Sequence, residues 1–252
     1  MSGSPLPAPP VKLSRKERRE AKRREQLTLL RKFQKESQAG DKTVWKRLGD
    51  STNNKCVALK KLLRERLMSR QEPRCCYCNR WLLNTAYASP IEHVLPRSVY
   101  PQFAVSARNL AIACYDCNDL KKKDDWGKYV RSHKQYPGAD TTTHFFHPRY
   151  HSFDDHITYV RVETNRLKYV SYRGLTAQGR HLCVNLLSRV VGRESLQHST
   201  PGLTDWLQVV DRLKAEPLPP YRPALEAFRT AIDQAVDERV KDGSRPTLPS
   251  GA

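Results

Sequence analysis

No apolar run in the sequence approaches the length that spans a bilayer, which excludes a helical membrane segment. Met1 to Pro10 is rich in Pro and Ser and lacks an apolar core, so it does not read as a secretory signal. There are seven cysteines, an odd number in a chain that is not small; that argues against a disulfide framework and fits a reducing cytoplasm. Internal repeats are absent, and so is any recognisable base-reading motif such as a tandem zinc-finger array, so little sequence preference is expected.

Acidic groups are scarce as well. The 252 residues hold 26 Asp and Glu against 45 Lys and Arg, a net charge of +19. Residues 1–124 contain 27 of the basic and 12 of the acidic groups, so 15 of the 19 excess charges lie in the half that also holds six of the cysteines. Each cation that neutralises a phosphate releases a counterion, and this clustering points to a polyanionic partner bound in a salt-dependent way. The length allows one large or two small domains with a real core.

Residues 1–37 read as a basic arm, a disordered lead followed by a helix that starts at the capping-box spacing Ser14-Arg15-Lys16-Glu17. Residues 38–73 read as packing helices, since Cys56, Leu59, Leu63 and Leu67 fall on one helical face between Asn53 and Met68. The opposite face carries Lys60, Lys61, Arg64 and Arg66. Residues 74–124 hold the cysteine motifs, and 125–145 read as a loop. Residues 146–243 read as an accessory region: a β-hairpin from Ile157–Val162 and Leu167–Ser171 around Thr164-Asn165, then three helices, near Thr176–Val191, near Thr204–Lys214 and after Pro223. The last helix ends at Asp242-Gly243, and residues 244–252 read as a disordered tail.

Cys75 with Cys78, and Cys114 with Cys117, form two C-x-x-C pairs separated by 35 residues. Two residues between thiolates let the chain turn around a tetrahedral zinc, and two such pairs provide four ligands for a structural ion. Cys76 competes with its neighbours for ligation. Cys56 and Cys183 sit in apolar helical patterns and read as core residues.

Between the pairs lies Glu92-His93, followed by Asn109, and Asn118 stands directly after the last cysteine with Lys121 three residues on. This order resembles the zinc-knuckle branch of the HNH endonucleases. The resemblance implies an α+β protein with a ββα-metal finger over residues 74–124, flanked by N-terminal helices and a C-terminal hairpin-plus-helices region. It also implies metal-dependent hydrolysis of phosphodiester bonds in DNA. His93 would be the general base, Glu92 and Asn118 would hold a catalytic Mg or Mn ion through hard oxygens, and Asn109 would orient His93 through backbone contacts. Asn118 would open the helix that carries Lys121, Lys122 and Lys123; these, with Arg97 and Arg149, are the expected phosphate contacts. A histidine near its ordinary pKa suits proton abstraction at neutral pH. Two positions depart from the commonest family pattern, Glu92 standing where Asp is usual and Asn118 where many members have His.

Further on, His144-Phe145-Phe146-His147-Pro148-Arg149-Tyr150 leads to Asp154-Asp155-His156-Ile157, and Gly174-Leu175-Thr176 precedes Asn185 to Arg189. These segments are similar to HNH proteins of bacterial antiphage operons, the Septu-type and retron-linked nucleases. That likeness implies an ATPase partner; with a single active site per finger, cutting both strands takes a homodimer or two encounters. The bland reading of Pro148, Arg149 and His156 is that they fasten the hairpin to the finger. Two alternatives share the charge: a zinc-binding nucleic-acid module without catalysis, and an RNA-acting toxin nuclease.

Overall fold

The computed structural model describes residues 14–82, 89–122, 124–127, 134–163, 165, 168–199 and 222–241. Helix α1 (Arg15–Gln38) starts as its spacing predicts: Ser14 Oγ accepts from the Glu17 N–H, and Glu17 Oε2 accepts from the Ser14 N–H at 2.7 Å. It is not a free arm along its length. Phe33 and Ser37 are buried, and Ser37 Oγ donates to the Pro101 carbonyl at 2.6 Å. A short α2 (Val44–Leu48) and α3 (Asn54–Gln71) follow; Asn53 caps α3, and Cys56, Leu59, Leu63 and Leu67 form its buried stripe.

Two short strands come next, β1 (Ile91–His93) and β2 (Leu110–Ile112), paired antiparallel with Glu92 opposite Ala111 and His93 opposite Leu110. All six residues are buried. An acid and a histidine in a fully covered strand must find polar partners or stay uncharged, because burial without them costs several kcal/mol. At the end of α3 the Gln71 side chain acts as an extra strand segment: its Oε1 accepts from the Ile112 N–H at 2.8 Å and its Nε2 donates to the Ile112 carbonyl at 2.7 Å. Helix α4 (Tyr115–Lys121) leaves β2 directly, with Cys114 as its N-cap.

The second half opens with a single turn, α5 (Phe153–His156), and then the hairpin β3 (Ile157–Glu163) and β4 (Lys168–Gly174), registered Ile157↔Gly174 through Glu163↔Lys168. Helix α6 (Ala177–Leu182) continues through a π-helical turn (Cys183–Leu187) into α7 (Ser188–Ser199), and α8 (Arg222–Lys241) packs on α7. A Cβ on Gly179 would lie 1.9 Å from the His156 carbonyl oxygen, so only glycine lets α6 approach the hairpin this closely. Residues 1–13, the helix expected near Thr204–Lys214, Thr164 of the hairpin turn and residues 242–252 lie outside the described residues. The architecture is α+β, with two short antiparallel sheets and a cysteine cluster between them. Among the described residues no helix is long and apolar enough to cross a membrane.

Candidate metal centre and adjoining cleft

The four sulfurs of Cys75, Cys78, Cys114 and Cys117 lie within 4.8 Å of one another, all on buried residues. A tetrahedral zinc with sulfurs at about 2.3 Å requires sulfur separations of about 3.8 Å; Cys78 and Cys114 are 3.7 Å apart. Backbone N–H groups of Cys114 and Cys117 point at the Cys75 and Cys114 sulfurs at 3.2 and 3.4 Å. Burial pushes the Cys75 and Cys117 thiols well up, while hydrogen bonds from the other three cysteines hold Cys78 well below the ordinary thiol range. Deprotonated together, the four sulfurs would repel one another, and a divalent cation is what such a set accommodates. The cluster could hold a structural metal such as zinc. Cys76 is not part of it; its backbone N–H bonds the Ile112 carbonyl instead.

Arg80 supplies the cation around the cluster. Its Nε and one terminal nitrogen face the Cys78 and Cys114 sulfurs at 3.3 and 3.5 Å. The same side chain pairs with Asp116 at 2.8 Å and with Glu194 of α7 at 2.7 Å. Arg161 of β3 also reaches Glu194, at 3.2 Å, and Arg193 of α7 reaches Asp119 of α4, at 3.1 Å. Tyr172 of β4 donates to the Cys78 carbonyl at 2.9 Å. The hairpin and α7 are thereby fastened to the cysteine cluster by charge-assisted bonds. His156, expected in that role, bonds Thr176 at the base of α6 instead, at 2.5 Å.

Beside the cluster opens a cleft of about 670 Å³ lined by, among others, Trp45, Glu92, His93, Arg97, Asn118 and Lys122. The Glu-His pair of β1 and the asparagine of α4 thus share one cavity wall. His93 Nε2 lies 3.0 Å from the Ala104 carbonyl. A carbonyl only accepts, so Nε2 carries the proton and Nδ1 the lone pair. Burial pushes the His93 pKa down to about 3, opposed by the bond to Ala104. The expectation of an ordinary histidine pKa is corrected: the imidazole is neutral through the whole neutral range. The Trp45 ring meets the His93 ring edge-on at 4.3 Å and fixes its plane.

Asn109 holds the loop behind His93. Its Nδ2 donates to the Leu95 and Phe103 carbonyls at 3.0 and 3.2 Å, and its Oδ1 accepts from the Leu95 N–H at 2.7 Å. The bond to Phe103 precedes Ala104, the residue whose carbonyl sets the His93 tautomer. Tyr136 Oη also donates to Asn109 Oδ1, at 3.1 Å, and stands 2.7 Å from His147 Nε2. His147 Nδ1 accepts from the Arg149 N–H at 3.2 Å, so its Nε2 is the protonated nitrogen and donates to Tyr136. Burial lowers His147 to about 3 as well.

Lys121 departs from its expected role. It is fully buried, pairs with Glu92 Oε1 at 2.9 Å, donates to the His93 carbonyl at 3.2 Å and lies 4.8 Å from the Trp126 ring centroid. A side chain with no exposed surface cannot touch a phosphate, so that assignment is corrected. The physical reason is helical phase: Lys121 lies four residues after Cys117, whose sulfur faces inward, and residues at that spacing share a face. By the same spacing Lys122 follows Asn118 onto the cleft side. Asn118 does not open α4; it is the fourth residue of the helix, which starts at Tyr115 and is capped by the Cys114 sulfur accepting from the Cys117 N–H. Lys123 lies outside the described residues. Arg97 is exposed on the cleft rim, whereas half-buried Arg149 is not among the cleft's lining residues and sits near Arg70.

Burial pushes the Glu92 carboxyl up, and the Lys121 charge and hydrogen bond pull it back down. Tyr77 Oη also reaches Oε1, at 3.3 Å. Tyr77, Trp45, Tyr136 and His147 were not legible as site residues. Only the density of histidines around His147, and the enclosure of Tyr77 between two metal-spaced cysteines, gave a signal. Comparison of the chain with protein-family models, with curated proteins and with solved structures finds no match.

Proposed function

We propose that the chain is an HNH-type endonuclease that hydrolyses phosphodiester bonds in DNA with a divalent ion, its finger stapled by zinc at the four cysteines. The observation that carries this reading is the convergence of Glu92, His93 and Asn118 on one cleft with Arg97 and Lys122 at its wall. His93 Nδ1 takes a proton from the attacking water, whose oxygen bonds phosphorus as the bond to the leaving oxygen breaks. Glu92 and Asn118 offer the carboxylate and amide oxygens that suit Mg or Mn; such an ion, when bound, neutralises charge on the phosphate and the leaving oxygen. Asn109, Ala104 and Trp45 keep the imidazole in the tautomer and plane that this transfer needs. The likeness of residues 144–157 to antiphage nucleases extends the proposal to defence against foreign DNA, with an ATPase partner, and to a homodimer where both strands are cut.

One observation favours a second reading. The buried Lys121–Glu92 pair at 2.9 Å occupies an oxygen that a cation would want, as in a nucleic-acid module that binds without cutting. Incubating the protein with supercoiled plasmid and with folded RNA, each with Mg, Mn or neither, separates the readings. Metal-dependent nicking or linearisation of plasmid is expected; cutting of RNA alone would move the assignment to an RNA-acting nuclease, and cutting of neither to the binding module.

A further inference from the structure

Many cations on this surface have a carboxylate. Lys32 and Lys61 face Glu36 and Glu65 at 4.0 Å, Lys55 faces Glu25 at 2.7 Å, and Arg47 reaches both Glu36 and Asp41. Lys60, Arg64 and Arg97 are different: among the described residues none of the three has an ion pair. Lys60 and Arg64 stand one turn apart on α3, a spacing at which like charges repel. Lys60 Nζ lies 6.0 Å from the Trp45 ring centroid, and Arg64 Nε is buried without a hydrogen-bond partner. Arg97 lines the same cleft as Trp45 and lies close enough to Lys60 to act on its charge. Burial, then the charges of Arg64 and Arg97, hold the Lys60 ammonium below its usual range. Lys60, Arg64 and Arg97 lie close enough for their charges to repel, and an anion would relieve that repulsion and match the forked geometry of two guanidinium groups.

Trp45 joins this cluster to the site already described, because its ring also packs on His93. We propose that Lys60, Arg64 and Arg97 form a subsite for a backbone phosphate of the polynucleotide, flanking the linkage that faces His93. The inference rests on the nuclease reading for the identity of the chain bound, but not on hydrolysis. The subsite sets the direction in which the strand leaves the cleft: past Trp45 of α2 and along the basic face of α3.

The test is the salt dependence of binding, measured with full-length His93→Ala protein so that no hydrolysis intervenes. Replacing all three, Lys60→Gln, Arg64→Gln and Arg97→Gln together, should reduce the slope of log K against log salt by about 0.9 on a duplex oligonucleotide, or about 0.7 on a single strand, as expected for one phosphate. Each single variant should lose a part of that, and Lys61→Gln, whose charge is already paired, should lose nothing. Because each substitution relieves repulsion, melting temperatures should stay or rise. A triple variant that folds and keeps the parent slope overturns the subsite, as does a fall in melting temperature with unchanged slope, which would make the cluster structural. Inorganic phosphate at matched ionic strength should not displace the oligonucleotide; displacement from the parent but not from the triple variant would make this a free-phosphate site. Intact plasmid cleavage with an unchanged slope sinks the subsite alone. A slope change without plasmid cleavage sinks the nuclease reading alone.

Discussion

Two polar clusters are built on α4, and they balance their charge in opposite ways. At the start of the helix Cys114 and Cys117 join Cys75 and Cys78 in a set of four soft donors wrapped by Arg80. At its end Lys121 reaches across to β1 and neutralises Glu92, while Asn118 and Lys122 line the cleft. The first cluster is a set of like groups that could take a cation from outside; the second carries an internal cation and leaves hard oxygens and a neutral imidazole facing the cavity. A soft, closed set is suited to holding a structural ion, whereas a mixed, open one is suited to chemistry.

The sharpest way to break the comparison is to remove one sulfur. Cys114→Ala should release bound zinc and abolish the cooperative melting transition, since a structural zinc contributes on the order of 10 kcal/mol to a small module. Metal analysis and calorimetry read this, and Cys76→Ala should retain both metal and transition. Loss of zinc from Cys76→Ala instead would place the ligand set wrongly.

Next in size is the internal cation. Lys121→Met leaves a buried carboxylate unpaired, which costs about 3–5 kcal/mol. Adding Glu92→Gln should recover part of that loss in denaturant melts, because the neutral amide needs no counter-charge. Strict additivity of the two substitutions would show that the pair is not a unit.

Asn118→Ala should leave stability nearly unchanged and raise the Mg or Mn concentration needed for cleavage on the order of tenfold, through loss of one oxygen donor. An unshifted metal requirement would remove Asn118 from the cation's ligands. Such a result would also narrow the contrast between the two clusters, leaving Glu92 as the cleft's sole anchor.

The smallest effect concerns the buttress. His147 titrates at about 3 in the fold, below the ordinary histidine value near 6.5, so the unfolded chain takes up its proton first as pH falls. Stability from this group is complete above about pH 6.5 and declines toward pH 3, by up to about 1.4 kcal/mol per pH unit. His147→Gln keeps a donor toward Tyr136 and should flatten that part of the acid limb in urea melts at successive pH values. An equal slope in both proteins would assign the acid sensitivity elsewhere.

What could be read from the residues alone follows the range of the interactions. The capping box at Ser14, the apolar stripe of α3, the cysteine pairs and the hairpin are short-range patterns, and the structure contains each of them. The membership of Glu92, His93 and Asn118 in one cleft was expected from a resemblance rather than from periodicity. Lys121 was misjudged because three consecutive lysines look alike in a sequence, although counting four residues from Cys117 separates the inward one. Tyr136 and Trp45 come from a loop and a five-residue helix, and nothing local marks them. Their roles exist only because α2 packs on His93 of β1 and the loop before His147 packs on Asn109.

The central claim is that His93 does chemistry in this cleft. The measurement is the rate of plasmid cleavage by wild-type and His93→Ala proteins at saturating Mg or Mn, with DNA binding measured in parallel. The account predicts a loss of at least about 10²-fold in rate with binding retained. Equal rates in the two proteins, or a lost rate explained by lost binding, would contradict it.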